Sequence, residues 1–199
     1  MLGLALLSGC ASLTKEPVKT LTEPEKEQRW QAIQAQLSTL DRWQLSGRLG
    51  LKIPGQSGSL SIDWTQELKA YTLLLDGPFG QSVAQVQGDS QGVVAKVAGE
   101  KEPVFGPTPE YLMMRITGWD LPVSYLRYWV VGLPVPDLQA KVSLDDYGQA
   151  KSLQQQGWDV SYLSYRRAAD GIRLPNRIKV SRDNIRLTFV ISHWDIKQS

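Results

Sequence analysis

One cysteine and one histidine occur among 199 residues, and that scarcity removes most metal and nucleophilic chemistry at the outset. A lone Cys10 cannot close an intrachain disulfide. His193, without a second imidazole or thiol to join it, excludes zinc sites of the usual Cys and His spacing, so neither a metal nor any other cofactor is expected. After Cys10 no stretch approaches the ~20 consecutive apolar residues that a membrane-spanning helix requires. Charge of one sign is lacking too: 22 basic residues stand against 20 acidic ones, a formal net charge of +2. No run of the sequence gathers Lys and Arg onto one face as a nucleic-acid footprint would. The length remaining suits one domain with its own core.

A catalytic constellation is equally scarce. Gly88-Asp89-Ser90-Gln91-Gly92 superficially matches the surroundings of a serine nucleophile, but such a serine needs a base within hydrogen-bond reach and a third group to orient it. The single imidazole lies about a hundred residues away in sequence. A hairpin turn explains the same residues, since Gly and Asp favour turn conformations. Asp63, Asp145 and Asp146 read as solvated carboxylates.

What the chain does have begins with Cys10. Leu7-Ser8-Gly9-Cys10 resembles a bacterial lipobox: a leucine, two small residues that fit a peptidase cleft, and a thiol that can receive a diacylglyceryl group. A signal segment ordinarily carries a basic start and ~7–15 apolar residues, and residues 1–9 contain no Lys or Arg. We read residues 1–9 as a truncated signal peptide, 10–22 as a lipidated flexible tether, and 23–199 as one folded domain.

The pattern of that domain is one helix, then mostly strands. Thr22 with Glu25 forms a capping box, and Trp30, Ile33, Leu37 and Leu40 make one helical stripe. From Trp43 the period becomes two, with Trp43, Leu45, Gly47, Leu49, Leu51 and Ile53 on one face. Further strands are predicted with Leu60, Ile62 and Trp64, then Tyr71, Leu73 and Leu75. Leu74 on the opposite face suggests that this third strand is covered on both sides. Weaker strands follow near 82–87 and 93–97. Thr108-Pro109-Glu110 opens a helix that Gly118 ends, and Pro122 opens another carrying Val123, Leu126, Trp129 and Val130. Alternating segments around Trp158–Tyr162, Ile178–Val180 and Ile185–Ile191, with turns at 145–148, 156–157, 170–171 and 182–184, complete about ten antiparallel strands. A mainly β chain of this kind makes a curved sheet or barrel.

Trp43 with Gly47-Arg48-Leu49, Trp64, Gly77-Pro78-Phe79-Gly80, Thr117-Gly118-Trp119-Asp120-Leu121-Pro122, Trp129-Val130-Val131-Gly132-Leu133-Pro134, Gly157-Trp158, Leu174-Pro175 and Trp194 occur in an order that resembles the LolB family. The resemblance implies a non-enzymatic outer-membrane lipoprotein, anchored at Cys10 in the inner leaflet and facing the periplasm. It implies a monomer that receives acylated lipoproteins from the periplasmic carrier LolA and inserts them into that leaflet. The fold implied is an unclosed antiparallel β-barrel of about eleven strands, lidded by helices around an apolar cavity for acyl chains. Candidates for the lining are Trp43, Leu49, Leu51, Ile62, Trp64, Leu73, Leu75, Ile116, Leu126, Trp129, Trp158, Ile178 and Leu187; the same periodicity also fits an ordinary packed core. The family's membrane-insertion loop maps onto Pro78, Phe79 and Gly80, where Phe79 takes the place of a protruding hydrophobic residue that is leucine in some members. Ala11 stands where an aspartate would mark inner-membrane retention. Two other classes remain open on sequence grounds: a lipoprotein enzyme on a β-barrel scaffold, and a structural lipoprotein with no ligand.

Overall fold

Residues 20–168 and 171–197 are described by the structure, a computed structural model. Cys10, the segment 1–9 and the first part of the tether lie outside the described residues. The first element is α1 (Glu23–Leu37), and its start is fixed locally: the Glu25 carboxylate accepts from both the backbone N–H and the hydroxyl of Thr22, at 2.8 Å each. The predicted stripe packs inward, with Trp30 and Leu37 buried and Ile33 half-buried.

Among the described residues eleven strands follow: β1 (Arg42–Ile53), β2 (Gln56–Glu67), β3 (Ala70–Asp76), β4 (Ser82–Gly88), β5 (Val93–Val97), β6 (Val104–Gly106), β7 (Ala140–Leu144), β8 (Ala150–Gln155), β9 (Trp158–Arg167), β10 (Arg173–Arg182) and β11 (Ile185–Ile196). Between β6 and β7 the chain forms α2 (Pro109–Thr117) and α3 (Val123–Trp129). All strands belong to one antiparallel sheet in the order β6-β5-β4-β3-β2-β1-β11-β10-β9-β8-β7. The end strands β6 and β7 do not pair with each other, so the barrel is unclosed. Pairing β11 beside β1 is the one long-range closure; every other neighbour is a sequential hairpin or the β5–β6 step, as expected where loops are short.

Cross-strand register explains the alternation seen in sequence. One inward row runs Leu60–Leu49–Phe189–Ile178–Tyr162 across five strands, and a second runs Leu51–Leu187–Val180–Val160–Leu153. At Gly47 the β1–β11 register slips, and a Cβ there would run into the Val190 carbonyl. Only glycine allows that bend of the sheet.

Three sequence expectations need correction. Leu74 is exposed on the outer face, so β3 is covered on one side only. The short strand β6 was missed because three residues, Val104-Phe105-Gly106, are too few to show a period. And basic side chains do gather: Arg48 and Lys52 on β1, Arg177 and Lys179 on β10, and Arg186 on β11 share the convex face. They come from three segments far apart in sequence, so only the strand pairing assembles them.

Candidate functional site

The concave face of the sheet and the helices over it hold the candidate lining residues. Thr108 begins α2 by accepting the Tyr111 N–H at 3.2 Å, and Gly118 ends it in the left-handed region at φ 74°. This helix packs over β5 and β6, on a small cluster of Val93, Ala95 and Leu112. Burial of α3 goes further: Trp129 and Val130 are fully enclosed by the main cluster.

Three fastenings hold this helical layer. Glu110, on α2, accepts the Ser124 N–H at 2.6 Å and its hydroxyl at 3.0 Å, joining α2 to α3. Arg182, at the end of β10, donates to the Asp120 carbonyl at 3.1 Å and carboxylate at 2.9 Å, while its guanidinium stacks 4.4 Å over the Trp158 ring. Gln155, on β8, makes the third. Its Oε1 accepts from Trp129 Nε1 and the Val135 N–H at 3.0 and 2.9 Å, and its Nε2 donates to the Val135 and Leu138 carbonyls at 3.0 and 3.1 Å.

The second fastening, like the first, is exposed. Replacing Arg182 with Met keeps apolar stem against Trp158 but removes the donors to Asp120. Because exposed ion pairs contribute ~1 kcal/mol at most, the melt should barely move. Hydrogen exchange at residues 119–126 should accelerate several-fold; unchanged exchange would show that Arg182 does not restrain the layer.

Burial sorts the candidate lining residues into two groups. Trp43, Ile62, Trp64, Leu126, Trp129, Trp158, Ile178 and Leu187 are buried and belong to one continuous cluster. The Trp43 ring meets Trp64 at 5.2 Å and Trp194 at 5.5 Å, and Trp129 meets Trp158 at 6.4 Å. Leu49, Leu51, Leu73 and Leu75 face the same side and pack against that cluster but are only partly buried. Ile116 is also partly buried but packs on the small cluster beneath α2 rather than on the main one. Burial is therefore most complete toward β8–β11 and α3, and Leu49, Leu51, Leu73, Leu75 and Ile116 are the candidates left partly accessible. Two buried polar atoms in this region, Trp64 Nε1 and Tyr71 Oη, have no hydrogen-bond partner. Burial, with the nearby Glu110 carboxylate, pushes the Tyr71 hydroxyl up to about 12.

Phe79 lies apart from this interior. Its turn is closed by Gly77 N–H to the Gln81 carbonyl at 2.8 Å and Gly80 N–H to the Gly77 carbonyl at 3.0 Å. The Phe79 N–H donates to the Gln81 side chain at 3.1 Å, so the tip is held by its own residues, and the ring is 95% exposed. Ser90 sits in the β4–β5 turn and His193 on the outer face of β11, with β1, β2 and β3 between them; no catalytic pair is assembled from the two.

Residues 41–194 match the family model described as outer membrane lipoprotein LolB. The chain belongs to the LolB family. A LolB of Pseudomonas putida is 40% identical over 196 residues, covering 98% of this chain and 93% of the relative. A LolB of Pseudomonas aeruginosa is 38% identical over 195 residues, with the same two coverages. Among solved structures, a LolA superfamily protein from Nitrosomonas europaea aligns with a TM-score of 0.54 at 8% identity, over 85% of this chain and 94% of that one. A DUF1329 family protein from Desulfovibrio piger aligns with a TM-score of 0.58 at 7% identity, over 86% and 92%. At such identities these structures share the fold alone. Membership makes this LolB-family chain an outer-membrane lipoprotein of the lipoprotein localisation pathway, and among the described residues no helix is long and apolar enough to cross a membrane.

Proposed function

We propose that this protein receives acylated lipoproteins from the soluble carrier LolA, holds their acyl chains against the concave face of the half-barrel, and delivers them into the inner leaflet of the outer membrane. Each CH₂ taken from water is worth ~0.8 kcal/mol, so one sixteen-carbon chain corresponds to roughly 12 kcal/mol. Release into the aqueous periplasm at a useful rate is therefore closed off. The chain has to pass from one apolar surface to another, and its direction follows from the difference in affinity between carrier, receptor and membrane.

The observation that carries this reading is the uneven burial of one apolar face. Leu49, Leu51, Leu73 and Leu75 point to the same side as the packed core but are only partly buried against it. A tail laid along them completes their burial. Deeper residues such as Trp43, Trp64 and Leu187 become lining only when α2 and α3 shift, and an unclosed sheet allows that shift without breaking a closed ladder. Trp64 Nε1 and Tyr71 Oη supply unpartnered donors beside the leucines for the ester end of such a ligand. Phe79 is assigned to the membrane side of the transfer, and Cys10 to the anchor. A single acyl chain holds a protein to a bilayer only marginally, whereas two or three hold it firmly.

The test is a transfer assay with a Cys10→Ala chain. In high salt, which screens surface charge, this variant should appear in the soluble fraction and still take an acylated lipoprotein from loaded carrier, read by co-purification of the cargo. Carrier that keeps its cargo would exclude the receptor role and favour a structural lipoprotein; a variant that still sediments with membranes in high salt would refute the anchor.

A further inference from the structure

The convex face carries a second surface, built from the register of three adjacent strands. Arg48 on β1 and Arg177 on β10 both lie directly beside Val190 of β11. Lys52 pairs with Arg186, and Lys179 pairs with Thr188, which in turn faces Gly50. With strands ~4.8 Å apart and a rise of ~3.3 Å per residue, the backbones of Arg48 and Arg177 stand about 10 Å apart, and each of the five cations has another of the five within roughly that distance. None of the five makes an ion pair or a side-chain hydrogen bond among the described residues. Arg166 of β9 adds a sixth charge, donating across to the Ser192 carbonyl at 3.3 Å.

The side chains next to these cations are small hydroxyls and two exposed apolar groups. Ser57, Ser59 and Ser61 continue the rows on β2, and Ser161 and Ser164 on β9. Val190 and Leu163 are 43% and 56% exposed. Carboxylates sit at the margins: Asp159 is engaged by Gln154 at 2.8 Å, Asp63 and Asp76 lie on β2 and β3, and Asp195 lies toward the far end of β11. With a net charge of only +2 for the chain, this gathering leaves the remainder of the molecule close to neutral or acidic.

We propose that this face binds anionic phospholipid headgroups and lays the convex side of the half-barrel against the bilayer. Guanidinium and ammonium groups interleaved with hydroxyl donors suit phosphate oxygens. Exposed Val190 and Leu163 among cations give the mixed composition of an interfacial surface. The direction of the strands favours a membrane over an acidic protein as occupant. β1, β3 and β10 run the same way, so the Pro54-Gly55 turn, the Gly77–Gln81 turn with Phe79 at its tip, and the Asp183-Asn184 turn all project from one end of the sheet. Lys52 and Arg186 form the last outward pair before that end. The proposal rests on residence at the outer membrane and is separate from acyl transfer, because vesicle binding is read without cargo.

That test is co-sedimentation of the full Cys10→Ala chain with vesicles of phosphatidylethanolamine alone or with about one third phosphatidylglycerol, in low and high salt. Each basic residue near an anionic surface is worth about fivefold in partition. Wild-type side chains should therefore bind the anionic vesicles at least tenfold better than the zwitterionic ones, and lose that preference in high salt. Neutralising Arg48, Lys52, Arg177 and Arg186 to Gln should abolish the preference. Neutralising Lys69, Lys101, Arg115 and Lys197 instead, an equal change of net charge off this face, should preserve it. Equal binding to both vesicle types, loss of preference in both variants, or retention in both would overturn the proposal. So would a first variant that keeps its vesicle preference but no longer takes cargo from the carrier, which would assign the face to an acidic protein. The salt and lipid dependence of the unsubstituted face decides the matter even if one variant folds poorly.

Discussion

Gln155→Leu is expected to lower the melting temperature by roughly 6–12 °C, although leucine is close to glutamine in size and more apolar. Gln155 is 2% exposed and satisfies four groups at once: Trp129 Nε1, the Val135 N–H, and the Val135 and Leu138 carbonyls. Leucine removes every partner and leaves two donors and two acceptors without one. A buried polar group so orphaned costs ~1–3 kcal/mol, and partial rearrangement toward water brings the expected total to about 3 kcal/mol. For a chain of this length ~2–4 °C is lost per kcal/mol. The loss should also be local in character: α3 and the segment 132–138 should exchange their amides faster than β10 and β11. A melt within a degree or two of the parent chain would show that these bonds are replaceable.

The same residue shows where sequence patterns stop being informative. Gln154, Gln155 and Gln156 are chemically identical neighbours. Gln154 is exposed and bonds Asp159, Gln155 is the buried hub, and Gln156 adopts φ 51° in the turn before Gly157. Periodicity places Gln155 on the inward face, since Leu153 is inward, but nothing in a polar run announces that α3 will present an indole N–H to it. Capping, by contrast, is a local property, and Thr22 with Glu25, Thr108 with Pro109, and Gly118 were all legible for that reason. Strands with a clean period of two were legible as well. Their neighbours were inferred correctly wherever a short turn joined them, because a short turn leaves one antiparallel partner. What needed the three-dimensional pairing was anything built from distant strands: the convex basic face, the Arg182–Asp120 link, and the division of the lining residues into packed and partly buried groups. The first and last of these depend on β1 meeting β11, a contact between residues more than a hundred positions apart, and the second joins residues 62 positions apart.

Phe79→Glu should cut the insertion of cargo into vesicles by at least tenfold while leaving cargo uptake from the carrier and thermal stability close to those of the parent chain. The ring is 95% exposed, so folding gains little from it and its removal creates no cavity. Its turn is closed by Gly77, Gly80 and Gln81 through backbone and Gln81 side-chain bonds that do not involve the phenyl group, so glutamate can occupy the same tip. An aromatic held outward in this way is a solvation cost for an isolated domain and a gain only when a bilayer receives it. Burying a phenylalanine side chain is worth about 2 kcal/mol, a factor of about thirty in any step that depends on it. Glutamate forfeits that gain and adds the cost of bringing a carboxylate toward anionic headgroups. Phe79→Leu should retain most of the activity, since leucine offers comparable apolar area at the same tip. If Phe79→Glu delivers cargo as well as Phe79→Leu does, the exposed ring has no part in the membrane step and delivery has to be sought on another surface.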